Sequence, residues 1–319
     1  MTVGIVGAGG MGSVHSRHYR RIDGVELVIF DEVEEKARVL ASAHEADVAE
    51  SLGALIDRCD IVDVCLPTDA HRACALAAVS AGRHVFVEKP IAGTLEDAAE
   101  IISASDKAGV KLSVGQVVRF FPEFKQANKL VREGKLGRPA AARTRRGGGA
   151  PKADWFLDHA RSGGVIVDLA VHDFDWLRWT LGEVTHLYSR SVGIQDGLGL
   201  DYALTTLSFD SGAVAHVEAT WMDPAGFRVT FEVCGSDGMV QYDSRSVPTL
   251  RTHQTSGVRS EAPLSPVDDP YFNQLSAFVG ACRGENPLAV TGYDGFMALS
   301  IALSALESAR TGKVVKPVR

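Results

Sequence analysis

The sequence predicts a two-domain α/β protein. A doubly wound parallel sheet occupies residues 1–117, and an α+β domain with a mixed, mainly antiparallel open sheet occupies residues 118–319. Three observations carry this reading. A chain of 319 residues makes two domains at ~150 residues each. Residues 1–117 alternate short apolar runs with helical stretches, as strands covered by helices on both faces do. Farther on, strand patterns follow one another with turn signals such as Asp210-Ser211-Gly212 between them, as hairpin-linked strands do.

In the first part the runs 3–6, 27–30, 61–66, 84–87 and 111–114 read as strands, with helices over 11–22, 33–44, 70–81 and 95–108 between them. In the second part a basic helix over 123–133 and a loop at Gly147, Gly148 and Gly149 precede a helix over about 168–181. Strands follow near 185–193, 203–209, 213–221, 227–234 and 238–242. The last helix, 294–310, is apolar on all sides and is expected to be buried, with the option of packing back on the first domain.

Composition narrows the partners. Lys and Arg number 33 against 40 Asp and Glu, a net charge of −7, which disfavours nucleic acid or an anionic membrane and leaves small molecules. The longest apolar stretch, 296–306, is interrupted by Ser300 and Ser304 and falls short of the ~20 residues of a membrane span. The N-terminus enters an apolar run without a basic region or a cleavage signal, so a cytoplasmic protein is expected. Five cysteines, Cys59, Cys65, Cys74, Cys234 and Cys282, lack CxxC or CxxH spacing, so no disulfide framework or metal site is expected. Glycine alone is unusual, at 32 residues where about 22 are typical.

Part of that excess forms Gly7-Ala8-Gly9-Gly10-Met11-Gly12, a G-x-G-x-x-G loop between a strand and a helix. Such glycines permit a tight turn, close approach of a diphosphate and close helix packing, while the helix N-terminus offers N–H donors. Asp31 ends the second strand about 20 residues on. There it can bind the ribose hydroxyls and repel a 2′-phosphate, favouring NAD over NADP, or it can cap the following helix. Lys36 and Arg38 lie nearby and leave NADP open.

The strand 84–87 runs into Glu88-Lys89-Pro90. Carboxyl ends of parallel strands face the ligand crevice, so Lys89 can donate to a substrate oxygen, or it is a surface lysine before a turn proline. Asp168 and His172 are four apart and share one face of a helix. A carboxylate there can fix the imidazole tautomer for proton transfer, or the pair is an ordinary surface contact. Arg143, Arg145 and Arg146 either present cations to an anionic substrate or form a solvated charge run.

Together the motifs Gly7-x-Gly9-x-Met11-Gly12-x-x-His15, Pro67-Thr68-Asp69-x-His71 and Ala81-Gly82-x-His84-Val85-x-Val87-Glu88-Lys89-Pro90 continue into Arg119-Phe120-x-Pro122 and Ser162-Gly163-Gly164. Asp168-x-x-x-His172-x-x-Asp175 and Gly312-x-Val314-Val315 follow. This set resembles the Gfo/Idh/MocA family of nicotinamide-dependent oxidoreductases over nearly the whole chain. The resemblance implies a Rossmann first domain holding NAD, with NADP not excluded, through Gly7, Gly9, Gly10, Met11, Gly12, Asp31, Pro67, Thr68, Glu88 and Lys89. It implies Lys89, Asp168 and His172 as the catalytic group, with Arg119 and Trp155 joining them around the substrate. In that scheme His172 takes the hydroxyl proton, Lys89 polarises the substrate oxygen and Asp168 orients the site. Trp155 can equally be a packed core residue, and His15 and His71 read as structural.

The implied substrate is a cyclic polyol or sugar, inositol above all, and the implied assembly a homodimer or homotetramer. Val165 and Ala170 stand where the family commonly has glycine, and their added bulk bears on specificity. Two other functions share the fold: a non-catalytic NAD-binding sensor or regulator, whose kind tends to lose the lysine present here, and an NAD-dependent glycosidase.

Overall fold

A computed structural model describes residues 1–149, 158–193, 201–254, 257–261 and 269–319. The chain divides into two compact units, Met1–Val117 with Asp269–Phe296, and Val118–Asp268 with Met297–Arg319.

In the first unit the apolar runs become β1 (Thr2–Val6), β2 (Glu26–Phe30), β3 (Asp47–Val48), β4 (Ile61–Val64), β5 (His84–Val87) and β6 (Leu112–Val114). They form one sheet in the order β3-β2-β1-β4-β5-β6, parallel at every junction. Val3, Ile5, Ile29, Ile61 and Phe86 have no exposed surface, because helices cover both faces. Those helices are α1 (Gly10–Tyr19), α2 (Glu34–His44), α3 (Leu52–Arg58), α4 (Thr68–Ser80) and α5 (Leu95–Ala108). Local chemistry sets their ends. Ser51 and Thr94 accept hydrogen bonds from the Ala54 and Asp97 amides at the starts of α3 and α5. From β1 the chain winds outward through β2 to β3, then returns to the other side at β4. The carboxyl ends of β1 and β4 therefore flank the switch point where such sheets bind ligands.

One boundary differs from the sequence reading. Residues Asp269–Phe296, expected in the second domain, belong to the first unit. The helix Pro270–Cys282 explains this, since Leu275, Phe278 and Val279 join the core that holds Val3, Ile5, Ile29 and Phe86. Its start carries a local signal: Asp269 accepts from the Tyr271 and Phe272 amides, and Pro270 occupies the first turn.

The second unit begins with α6 (Pro122–Arg132) and the strand β7 (Pro139–Gly147), followed by the short α7 (His159–Ser162) and α8 (Gly164–Asp168), then α9 (Val171–Leu181). The remaining strands are β8 (Val184–Val192), β9 (Tyr202–Phe209), β10 (Val214–Thr220), β11 (Arg228–Gly235), β12 (Gly238–Asp243), β13 (Leu250–Gln254) and β14 (Gly257–Glu261). The sheet order is β14-β13-β12-β11-β7-β10-β9-β8. Only β7 and β10 run parallel, so the sheet is mixed and mainly antiparallel, as predicted. Trp176 of α9 packs edge-on to Phe124 of α6 at 5.0 Å and tilts over Phe231 of β11 at 4.8 Å. Its indole N–H donates to the Phe124 carbonyl at 3.1 Å.

The arginine run is a strand inside this sheet, in which Arg143 is exposed, Arg145 half-buried and Arg146 buried. Strand alternation turns Arg146 inward, where Asp173 of α9 receives its Nε at 2.7 Å. Arg145 faces out and binds Glu218 at 3.0 Å and Asp223 at 2.9 Å, and Arg143 lies 3.5 Å from Glu232. Among the described residues no helix is long and apolar enough to cross a membrane.

Candidate active site

Gly7 leaves β1 with φ +102°, a backbone that side chains resist, and its amide donates to the Phe30 carbonyl at 2.8 Å. A Cβ on Gly7 would lie 2.5 Å from the Cys65 carbonyl oxygen, and one on Gly12 would lie 2.0 Å from that of Gly7. Gly9 and Gly10 differ, because nothing lies within 4 Å of where their Cβ atoms would be. The loop is thus tight underneath and open above, beside an α1 N-terminus that no side chain caps. Open space, amide donors and the positive end of the helix fit a diphosphate. Met11 is half-buried in the first turn of α1.

Asp31 is held by backbone amides on both sides. One oxygen accepts from the Val33 amide at 2.9 Å, leading the chain into α2, and the other accepts from the loop amide of Ala8 at 2.8 Å. Each oxygen retains a lone pair, so the carboxylate can still receive ribose hydroxyls. Pro67 and the buried Thr68 open α4 just past β4, the strand beside β1. These residues fit a dinucleotide with an unmodified ribose.

Lys89 follows β5 directly, on the carboxyl side of the sheet, and is half-buried. Its surroundings are held from two directions. The buried His71 ring lies 2.9 Å from the Pro90 carbonyl and 2.8 Å from that of Leu66. Burial lowers its pKa, opposed by the Leu66 and Pro90 carbonyls. On the other side Glu88 is buried, and its Oε2 accepts the Lys89 amide at 3.1 Å. Burial pushes the Glu88 carboxyl up, but the His15 imidazole and the Lys89 charge outweigh it and hold the group below its ordinary value. The Glu88 carboxylate is therefore charged and turned toward the protein interior.

In the second unit the segment expected as one helix is broken. The amides of Leu169 and Ala170 both return to the Val165 carbonyl, at 3.1 and 2.9 Å, which interrupts the i to i−4 ladder. Asp168 thus ends α8, and His172 sits in the first turn of α9. Asp168 is buried and His172 is half-buried. The reading of both as one face of a continuous helix is corrected to two helix ends joined by a two-residue turn.

Sequence reasoning missed Asp201, at the start of β9. It is 4% exposed, accepts from the Val165 amide at 2.5 Å and lies 3.4 Å from Nε2 of His159. A Cβ on Gly164 would sit 2.7 Å from its Oδ2, which explains the glycine. Burial raises the Asp201 pKa, opposed by the Val165 amide and His159 and reinforced by the negative charge of Asp168. No local signal marks it, since Asp201 and Val165 are 36 positions apart. Arg119 is buried, with its guanidinium turned to Asp175 at 2.6 Å. Trp155 lies outside the described residues.

Residues 1–116 match the model of an oxidoreductase family with an NAD-binding Rossmann fold, and residues 124–241 match the GFO/IDH/MocA C-terminal domain. Myo-inositol 2-dehydrogenase of Thermotoga maritima is 30% identical, over 99% of this chain and 98% of that protein. The 1,5-anhydro-D-fructose reductase of Ensifer adhaerens is 32% identical over 81% of this chain and 79% of its own length. The crystal structure of a probable dehydrogenase from Thermotoga maritima, 29% identical, superposes with a TM-score of 0.87 over 99% of this chain and 98% of that one. With the glycine loop, Asp31 and the Glu88-Lys89-Pro90 strand end in place, the chain belongs to the Gfo/Idh/MocA family of NAD-binding oxidoreductases.

Proposed function

We propose that the protein is a dehydrogenase that moves a hydride between NAD and a secondary hydroxyl or ketone of a cyclic polyol or sugar. The observation that carries this reading is Lys89, emerging at the carboxyl end of β5 on the same side of the sheet as the glycine loop, from a backbone held by His71 and Glu88. Relatives named for a cyclic polyol and for an anhydro sugar support the substrate class. The bound dinucleotide supplies the hydride acceptor.

The chain's own residues supply the rest. Lys89 donates a hydrogen bond to the substrate oxygen and draws electron density toward it. His172 accepts the proton that the hydroxyl loses, and Asp168 orients the substrate. The Asp31 carboxylate selects NAD by repelling a 2′-phosphate. Self-association as a homodimer or homotetramer belongs to this reading, supported by exposed Tyr188, Leu204 and Val214 on β8, β9 and β10 of the open sheet.

The test is a panel of inositols, aldoses and sugar acids assayed with NAD and NADP by nicotinamide absorbance. Turnover of a cyclic polyol or sugar that falls by ~10²-fold or more in both Lys89→Ala and His172→Ala is the expected result. A protein that binds no nicotinamide, or whose turnover survives both substitutions, overturns it. Light-scattering mass in solution equal to one chain overturns the assembly.

A further inference from the structure

A chain of buried polar contacts within the first unit joins the helix behind the glycine loop to the backbone of Lys89. His15 lies in α1, and its side chain has no exposed surface. Nδ1 of its ring is 2.8 Å from Oδ2 of Asp63 on β4 and 3.3 Å from Sγ of Cys65. The opposite nitrogen, Nε2, is 3.3 Å from Oε1 of Glu88, an ion-pair separation. Glu88 in turn accepts the Lys89 amide through Oε2. The next strand makes room for this carboxylate, since a Cβ on Gly115 would lie 2.6 Å from its Oε1.

Apolar walls lock the arrangement. The rings of Phe86, Tyr271 and Tyr19 lie 5.6, 6.4 and 6.5 Å from the imidazole. Burial by itself would lower the His15 pKa, but the charge and hydrogen bond of Asp63 together with the contacts of Cys65 outweigh it and hold the group well above its ordinary value. An imidazolium therefore sits between two carboxylates. His15, Asp63 and Cys65 also offer donor atoms close enough to hold a cation. The direct 2.8 Å bond between His15 and Asp63 occupies that space, and burial pushes the Cys65 thiol far up, away from the thiolate a metal needs.

We propose that His15 is a positioning residue for Lys89: it fixes Glu88, and through Glu88 the backbone from which the lysine springs, relative to the helix that carries the phosphate loop. The proposal rests on the reading of Lys89 as the group that polarises the substrate. It assigns His15 a part in turnover that is separate from dinucleotide affinity, because the imidazole lies behind the loop in the core.

The test uses the full chain with His15→Asn and Asp63→Asn, which breaks the same buried pair from its other side. Each is measured for kcat on a substrate that the wild type turns over, and for NADH dissociation by fluorescence. We expect kcat to fall by ~10- to 100-fold, as misplacement of a catalytic group by up to ~1 Å does. NADH affinity should stay within about twofold of wild type. In a Lys89→Ala background, His15→Asn should slow the residual reaction no further. The inference is overturned if both variants keep wild-type kcat, if NADH affinity falls in step with kcat, or if His15→Asn slows Lys89→Ala by its full factor. Should His15→Asn fail to fold, the near-isosteric Asp63→Asn carries the test on the same criteria. A wild type that binds no NADH and turns nothing over defeats the functional reading beneath; an active wild type with unaffected variants defeats this inference alone.

Discussion

Asp175 grips Arg119 with both carboxylate oxygens, 2.7 Å from Nε and 2.6 Å from Nη2, with at most 5% of either side chain exposed. A planar fork matched to a carboxylate is the arrangement that lysine cannot reproduce. Removing one partner breaks a buried, bidentate charge pair, so Asp175→Ala should cost about 3–5 kcal/mol of stability in urea unfolding. Breaking the exposed Arg38–Glu34 pair with Glu34→Ala should change stability far less. Equal effects would show that the buried pair does not hold the second unit together.

The His15–Asp63 pair gives stability a pH dependence with a defined sign. Folding raises the affinity of His15 for its proton. Its contribution is therefore complete below the ordinary value of 6.5 and fades as pH rises through the higher folded value. The difference in unfolding free energy between wild type and His15→Gln should be larger at pH 6 than at pH 9. A gap that widens with pH contradicts the buried imidazolium.

Two alanine substitutions in one loop should behave differently. At Gly12 the new methyl would meet the Gly7 carbonyl at 2.0 Å, backbone against backbone, so Gly12→Ala should lower the melting temperature and abolish NADH binding together. At Gly9 no protein atom lies within 4 Å, so Gly9→Ala should melt like wild type and lose only NADH affinity. Calorimetry with fluorescence titration separates the two. If Gly9→Ala binds NADH normally, the open space above the loop is not where the diphosphate lies.

Asp31 is expected to set cofactor preference. Replacing it by serine keeps a short acceptor for the Ala8 and Val33 amides but removes the charge that opposes a 2′-phosphate. The ratio of kcat/KM for NADP over NAD should rise by at least about tenfold in Asp31→Ser. An unchanged ratio would confine Asp31 to its role at the entry of α2.

Much of the first unit could be read from sequence, because its strands are short apolar runs and its loop is a local backbone requirement. The Gly7 turn, the Asp31 strand end and the Lys89 strand end are each marked by a short local motif, although the bonds that hold them reach farther, from Gly7 to Phe30 and from Ala8 to Asp31. Reading was poorer where side chains misled. Three arginines in β7 look like surface charge, yet strand alternation buries Arg146 and supplies Asp173 from 27 positions away. A spacing of four between Asp168 and His172 looks like one helical face, yet the doubled bond to the Val165 carbonyl breaks the helix between them.

By itself, then, the sequence determined the fold class, the family, the phosphate loop and the identity of the residues offered for catalysis, since each rests on local pattern or local backbone chemistry. Only the tertiary structure decided which charges are neutralised in the interior and what holds the site residues in place. His15 meets Asp63 across 48 positions, Arg119 meets Asp175 across 56, and Asp201 meets Val165 across 36. Such pairs are set by strand order and helix packing, and a buried charge survives only where that packing delivers its partner.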